Sequence, residues 1–395
     1  MSKKEFQPLT GNYAIAEAMR QINPDVVAAY PITPQSSIVE TYAKFVANGV
    51  VDTEMVRVES EHSAMSAVVG ASMAGARTMT ATCSAGLALM WEILGVASGL
   101  RCPIVMPIAN RAISAPINIH CDHSDTMGAR DHGFIQIYNQ TAQEAYENMF
   151  LAVRIAEHPD VQLPVMVCED GFITSHCVQN VKIHDDAVMK KFVGERKTDF
   201  RLLDLKNPVT VGAIELQDYF FETKRQQQEA IKNAKKVYLE AGKELSKITG
   251  NEYPLFEEYK MDDAEAVIVT MSSAAGTAKP VIDRMRKDGK KVGLLRLRLF
   301  RPFPYGEVAG ALKHAKSVAV LDRSMSYGAN APLFGEVKNA LYDLDKRPEL
   351  QSYVFGMGGR DLLESHVEKV YDEMLTGNVT KDEKYLGLRE KGVCQ

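Results

Sequence analysis

Asp25-Val26-Val27-Ala28-Ala29-Tyr30-Pro31-Ile32-Thr33-Pro34 is the stretch on which the fold turns. Its first six residues read as a buried strand, and the two prolines fix the turn by which the chain leaves it. The next strand, Met55-Val56-Arg57-Val58, runs into Glu59-Ser60-Glu61-His62, and a helix of small residues opens at about Ser63. Two units later, Pro103-Ile104-Val105-Met106-Pro107-Ile108-Ala109 is a strand whose exit carries Asn110-Arg111. Open parallel sheets bind ligands outside the carboxyl ends of their strands. Three exits carrying Thr33, Glu61 and Arg111 therefore predict one site.

The alternation extends from Gly11 to about Ile183. Strands are expected at 25–30, 55–58, 77–83, 103–109, 134–138 and 164–168, with helical stretches such as Glu61 to Gly75 and Ala85 to Gly99 between them. Apolar strands alternating with helices mean a parallel α/β sheet covered on both faces. From 184 to about 260 charge rises, and Glu215 to Ile248 carries a polar helical pattern with a narrow apolar stripe, as in a connector. The alternation resumes at Ala264, with strands at 266–271, 292–299, 317–321 and 352–355 and helices at about 274–287, 304–314, 331–343 and 361–375. The expectation is a first domain over 1–255, with its connector at about 184–255, and a smaller parallel α/β domain over 256–395. The polar tail from about Gly377 is expected to lie over the surface or a partner.

A chain of 395 residues exceeds one ordinary core. With 46% hydrophobic and 25% charged residues it has a soluble globular composition, and a net charge of −5 argues against nucleic acid. The amino terminus leads into no apolar run, and the longest apolar stretch, Ala85 to Leu100, contains Glu92 and is too short to span a bilayer. A cytoplasmic protein with no membrane partner is expected. The cysteines at 83, 102, 121, 168, 177 and 394 include no pair at two-residue spacing, so the usual local iron–sulfur and zinc signatures are missing. Cys83, Cys102 and Cys168 read as small buried hydrophobes.

Two readings of Glu61 stand side by side. A carboxylate at a helix start stabilises the dipole and caps free amides. Small neighbours that exclude solvent, Ala64, Ala67, Val68 and Gly70, also suit a carboxyl that exchanges a proton with a heterocyclic nitrogen. Arg111 opens a long loop, Ala112 to Gly133, for which no helix or strand is expected. It can grip a substrate carboxylate with paired hydrogen bonds, or form an internal salt bridge to Asp122, Asp125 or Asp131. His120, Cys121, Asp122, His123, Asp125 and His132 are irregularly spaced, as in a hydrogen-bond network, and no metal is assigned to them. Ser84-Ala85-Gly86 and Ser272-Ser273-Ala274-Ala275-Gly276-Thr277 each open a helix whose amides suit an anion or the polar edge of a cofactor. The Gly-rich dinucleotide, Walker and GxSxG motifs do not occur where they would be needed, which argues against a dinucleotide oxidoreductase, an NTPase and an α/β-hydrolase.

Tyr30-Pro31-Ile32-Thr33-Pro34, Val58-Glu59-Ser60-Glu61, Ala109-Asn110-Arg111-Ala112 and Asp122-His123-Ser124-Asp125, with Arg130 and Gly133-Phe134, together resemble the alpha subunits of the thiamine-diphosphate-dependent 2-oxoacid:ferredoxin oxidoreductases, above all those acting on pyruvate. The resemblance covers nearly the whole chain, and the second domain looks like a transketolase carboxyl-terminal domain. It implies that Glu61 hydrogen-bonds N1′ of the cofactor's aminopyrimidine, with Pro31 and Ser84 as further cofactor contacts. Thr33 and Arg111 would receive the substrate's carboxylate and carbonyl. The implied reaction converts pyruvate and coenzyme A to acetyl-CoA and CO2 with reduction of ferredoxin. Another 2-oxoacid (2-oxoglutarate, a branched-chain acid or oxalate) and a non-catalytic scaffold are the alternatives. The family's diphosphate motif, GDG followed at a distance by Asn, is missing: Glu169-Asp170-Gly171 is the near match, and Asn180 follows too closely. The resemblance therefore places the diphosphate half, magnesium and the 4Fe-4S clusters on partner subunits.

Overall fold

The computed structural model describes residues 6–198 and 201–389, so Cys394 and the end of the polar tail lie outside the described residues. Seven strands form the first sheet, in the order Leu299–Arg301, Ile135–Tyr138, Val165–Asp170, Val105–Asn110, Thr78–Met79, Val26–Ala28 and Glu54–Val56. Six run parallel, and Leu299–Arg301 is antiparallel to Ile135–Tyr138. The central strands Val105–Asn110 and Val165–Asp170 are buried along their whole length, as a sheet covered on both faces requires.

Helix starts follow local chemistry. Thr10, Ser60, Thr141 and Asp185 each accept a hydrogen bond from a free amide in the first turn, a cap worth about 1 kcal/mol. On one face of the sheet, helices Gly11–Ile22 and Ala142–Ala156 bury Ile15, Met19, Met149 and Phe150. On the other face, helix Glu61–Met73 buries Met65 and Val68 in a core that continues through Met106 and Ile108 to Val267 and Leu295. That second core joins the two sheets.

The second sheet has six strands, ordered Lys384–Leu386, Glu349–Phe355, Ser317–Asp322, Ala266–Met271, Val292–Leu297 and Phe256–Tyr259. The last is an antiparallel edge and the others are parallel. Helix Phe220–Thr249 leads into it, burying Ala230, Ala234, Val237, Tyr238, Ala241 and Leu245 along one stripe and ending at Gly250 with φ 79°.

Several expectations change on inspection. The stretch 77–83 contracts to Thr78–Met79, followed only by a bridge from Thr82 to Ile108, because the amides of Thr80 and Thr82 reach their carbonyl partners at 3.4 and 3.3 Å. The strand expected over 292–299 breaks at Arg298, where the amides of Arg298 and Leu299 both turn to the carbonyl of Leu255. Beyond the break, Leu299–Arg301 joins the first sheet, although it lies past residue 255. The helical stretch 85–99 is two helices, Ser84–Leu89 and Trp91–Gly99. The loop after Arg111 contains a helix, Ser124–Gly128, too short to show a period in sequence. Among the described residues no helix is long and apolar enough to cross a membrane.

Candidate active site

Glu61 is the first residue of helix Glu61–Met73 and is 6% exposed. The cap is supplied by Ser60, whose hydroxyl accepts from the Ser63 amide at 3.2 Å, so Glu61 itself is not the cap. Its carboxylate makes no hydrogen bond or ion pair among the described residues. Opposite it lies Gly86, where a Cβ would come within 2.7 Å of Glu61 Oε1 and 2.5 Å of Thr82 Oγ1. The carboxylate is thus packed against a position that only glycine can occupy and has no partner within the described residues.

Arg111 is 7% exposed at the exit of Val105–Asn110. Its guanidinium forms no salt bridge to Asp122, Asp125 or Asp131; instead Nε donates to the Asn118 carbonyl at 2.9 Å and Nη1 to the Thr33 carbonyl at 2.8 Å. Nη2 donates no hydrogen bond among the described residues. Thr33 lies in the exposed turn between the two prolines, with Pro31 also exposed. Its carbonyl faces the Cys83 thiol at 3.3 Å as well as Arg111. Burial pushes that thiol up to about 12, so it stays protonated. Cys83 precedes helix Ser84–Leu89, which carries Gly86 to Glu61. The three strand exits thus meet around Cys83 and Gly86.

The group that ties Ser84 to the Arg111 exit is Asp125, which the sequence offered as an ion-pair partner of Arg111 or a member of a hydrogen-bond network. Its Oδ2 accepts from the amides of Ser84 and Arg111 at 2.9 and 3.0 Å, and its Oδ1 from Asn110 Nδ2 and the Thr126 amide at 2.8 and 2.7 Å. Burial pushes this carboxyl up, and the amides of Ser84 and Arg111 oppose that shift. The polar groups of Ser84 are engaged within the chain. Its amide serves Asp125, its hydroxyl donates to the Ala112 carbonyl at 2.5 Å, and the Gly86 amide is used by Cys83. The amides of Ser84 and Gly86 are therefore not free for a cofactor.

Asp170, in the Glu169-Asp170-Gly171 sequence, is equally committed. It accepts from His123 Nε2 at 2.7 Å and from the Ser273 amide and hydroxyl, and Arg323 Nη2 lies 3.9 Å away. Burial alone would raise its carboxyl; Arg323 and His123 outweigh it and hold the group below the usual carboxylate range. Cys121, His123 and Asp170 bring potential ligand atoms within 4.8 Å of one another, but the buried Arg323 guanidinium already supplies the positive charge there.

Residues 17–243 match the family described as pyruvate flavodoxin/ferredoxin oxidoreductase, thiamine diphosphate-binding, and residues 264–367 match pyruvate:ferredoxin oxidoreductase core domain II. The chain belongs to the pyruvate:ferredoxin oxidoreductase family. It is 57% identical to pyruvate synthase subunit PorA of Thermotoga maritima over 97% of this chain and 98% of that protein. Identity to the subunit of the same name from Methanocaldococcus jannaschii is 47%, over 93% and 96%. It is 41% identical to ketoisovalerate oxidoreductase subunit VorA of Pyrococcus abyssi over 94% of each chain. The fold is similar to that of a 2-oxoglutarate:ferredoxin oxidoreductase from Magnetococcus marinus, with a TM-score of 0.73 at 19% identity over 95% of this chain and 66% of that one. It is also similar to a split-gene transketolase, with a TM-score of 0.56 at 10% identity over 94% and 99%.

The residues of this family member fit one half of thiamine diphosphate. Unpartnered Glu61 beside Gly86 suits a ring nitrogen of the pyrimidine. Asp170, held by His123, Ser273 and Arg323, is not free to ligate the magnesium of a diphosphate.

Proposed function

We propose that this chain is the pyruvate-binding and cofactor-activating subunit of a multi-subunit pyruvate synthase, which cleaves pyruvate, transfers the acetyl group to coenzyme A, releases CO2 and passes two electrons singly to ferredoxin. The observation that carries this reading is the unpartnered Glu61 carboxylate across from Gly86, with Arg111 fixed at the neighbouring strand exit. Bound thiamine diphosphate supplies the nucleophilic carbon and the electron sink. Glu61 holds the proton at a pyrimidine nitrogen. Arg111 Nη2 takes the substrate carboxylate. Thr33, whose carbonyl accepts from Arg111 Nη1, is the second substrate contact of this reading. Pro31 opens the exposed turn that carries Thr33 and is the further cofactor contact of this reading. Partner subunits supply the diphosphate and magnesium half of the site and the 4Fe-4S clusters, since Asp170 is engaged elsewhere and the cysteines at 83, 102, 121 and 168 are buried singly. The reading supposes a cytoplasmic enzyme.

Two measurements on the assembled complex test it. Turnover with pyruvate, 2-oxoglutarate, a branched-chain 2-oxoacid and oxalate should favour pyruvate; preference for the branched-chain acid would move the chain to the activity named for the ketoisovalerate relatives. Cofactor and metal analysis should find thiamine diphosphate and iron in the complex and little of either in the isolated chain. Turnover by the isolated chain would overturn the shared site.

A further inference from the structure

We infer that the second sheet sets the position of Arg111, with Asn118 as the positioning residue that connects them; the inference rests on Arg111 being the substrate anchor. Two backbone carbonyls hold the guanidinium. That of Thr33 belongs to a turn closed by prolines. That of Asn118 belongs to a largely exposed loop, pinned to itself by the Ala112 amide on the His120 carbonyl at 3.0 Å and the His120 amide on Asn118 Oδ1 at 2.7 Å. Such a loop does not by its own contacts fix an acceptor.

The Ser84 hydroxyl holds the loop's start at Ala112 and the Phe172 ring lies against His120, but the hydrogen bonds that tie Asn118, the Cys121 carbonyl and the His123 amide to another element come from beyond the second sheet's strand ends. Asn118 Nδ2 donates to the Gly358 carbonyl at 3.1 Å, the Gly359 amide donates to the Cys121 carbonyl at 2.7 Å, and the His123 amide donates to the Arg323 carbonyl at 2.8 Å. Arg323 follows Ser317–Asp322, and Gly356-Met357-Gly358-Gly359 follows Glu349–Phe355. Gly356, Gly358 and Gly359 have φ of 66°, 61° and 83°, the left-handed region that side chains disfavour. A Cβ at Gly358 would overlap the Asn118 amide, and one at Gly359 would overlap the His120 Cβ. Only a turn with glycine at both 358 and 359 can bring the Gly358 carbonyl to Asn118. The chain of contacts then runs from Gly358 through Asn118 to Arg111 Nε and on to Thr33. Release of Asn118 lets the guanidinium turn away from the edge that faces substrate.

Asn118→Ala keeps the backbone carbonyl and removes the tether; Gly358→Ala pushes the tether off. Gly377→Ala is the control, because Gly377 also has positive φ, 72°, and nothing within 4 Å. In the reconstituted complex, Asn118→Ala and Gly358→Ala should raise KM for pyruvate about three- to ten-fold, the weight of one hydrogen bond. KM for coenzyme A and the melting temperature should stay within those of the wild type and the control. Unchanged pyruvate KM in both variants, where Arg111→Ala raises it, overturns the positioning role and leaves the anchor intact. An equal change in both KM values with a lowered melting temperature also overturns it, since the contact is then only structural. A silent Arg111→Ala removes the anchor itself, and the positioning role with it.

Discussion

Gly86 lies directly against Glu61: a methyl group at residue 86 would stand 2.7 Å from Oε1 of that carboxylate and 3.0 Å from its Cγ. The same methyl would stand 2.5 Å from the Thr82 hydroxyl, so both neighbours would have to shift. Gly86→Ala is therefore expected to displace the carboxylate from its working position while the helix, freed of a glycine, stays formed. Misplacement of a catalytic group by about 1 Å costs roughly a hundred-fold in rate. Pyruvate-dependent dye reduction by the reconstituted complex, measured beside its circular dichroism, checks this; near wild-type turnover would show that the gap has no part in the site.

Glu61→Gln keeps the shape of the side chain and removes its ionisation. A positioned acid–base group contributes about 10²- to 10⁴-fold, so turnover should fall by at least that lower figure, with fold and assembly retained. Wild-type turnover by this variant in the same assay would refute the role given to Glu61.

Arg111→Ala should lower kcat/KM for the 2-oxoacid by roughly ten- to a hundred-fold, as loss of a charge-assisted hydrogen bond from Nη2 predicts. Thr33→Val should cost less, because the Thr33 group that Arg111 grips is the backbone carbonyl, which valine retains. Steady-state kinetics on both variants separates the effects, and the reverse order would mean that the hydroxyl, not the guanidinium, carries substrate binding.

Glu144 links the sheets, with its carboxylate 2.8 and 2.9 Å from Arg296 and 3.4 Å from Arg298. Burial pushes this carboxyl up, but the two arginines outweigh it and hold it at about 2, against an ordinary 4.5. Below pH 4.5 the unfolded chain takes up the proton that the folded chain refuses until about pH 2. The stability it contributes is thus complete above that upper value and lost as pH falls through the window. Its side chain retains 17% exposure and Arg296 keeps Glu257, so Glu144→Gln should cost about 2–3 kcal/mol at neutral pH. Denaturant midpoints from neutral to acid pH should also show a flatter acid limb in the variant.

The α/β class and the strand exits at Thr33, Glu61 and Arg111 were legible because apolar runs ending in prolines or polar turns are local signals. Asp125 was not, since its four donors come from Ser84, Asn110, Arg111 and Thr126, and no spacing reveals that separate exits share one carboxylate. Asn118 and Gly358 are 240 residues apart, which puts their contact beyond any periodicity. The use of the Ser84 amide was hidden for a related reason: a helix start looks open to an anion until the carboxylate that fills it, Asp125, is found within the chain.

The short pairing of Leu299–Arg301 with Ile135–Tyr138 has a consequence for how the molecule is made. During synthesis the first sheet stays incomplete until residue 301 has emerged, and Ile135–Tyr138 waits as a bare edge able to recruit a strand from a neighbouring chain. A fragment ending near residue 255 would keep that edge permanently. Release of the first half ahead of the second would therefore leave that edge open, so completion of the first sheet depends on residues of the second half.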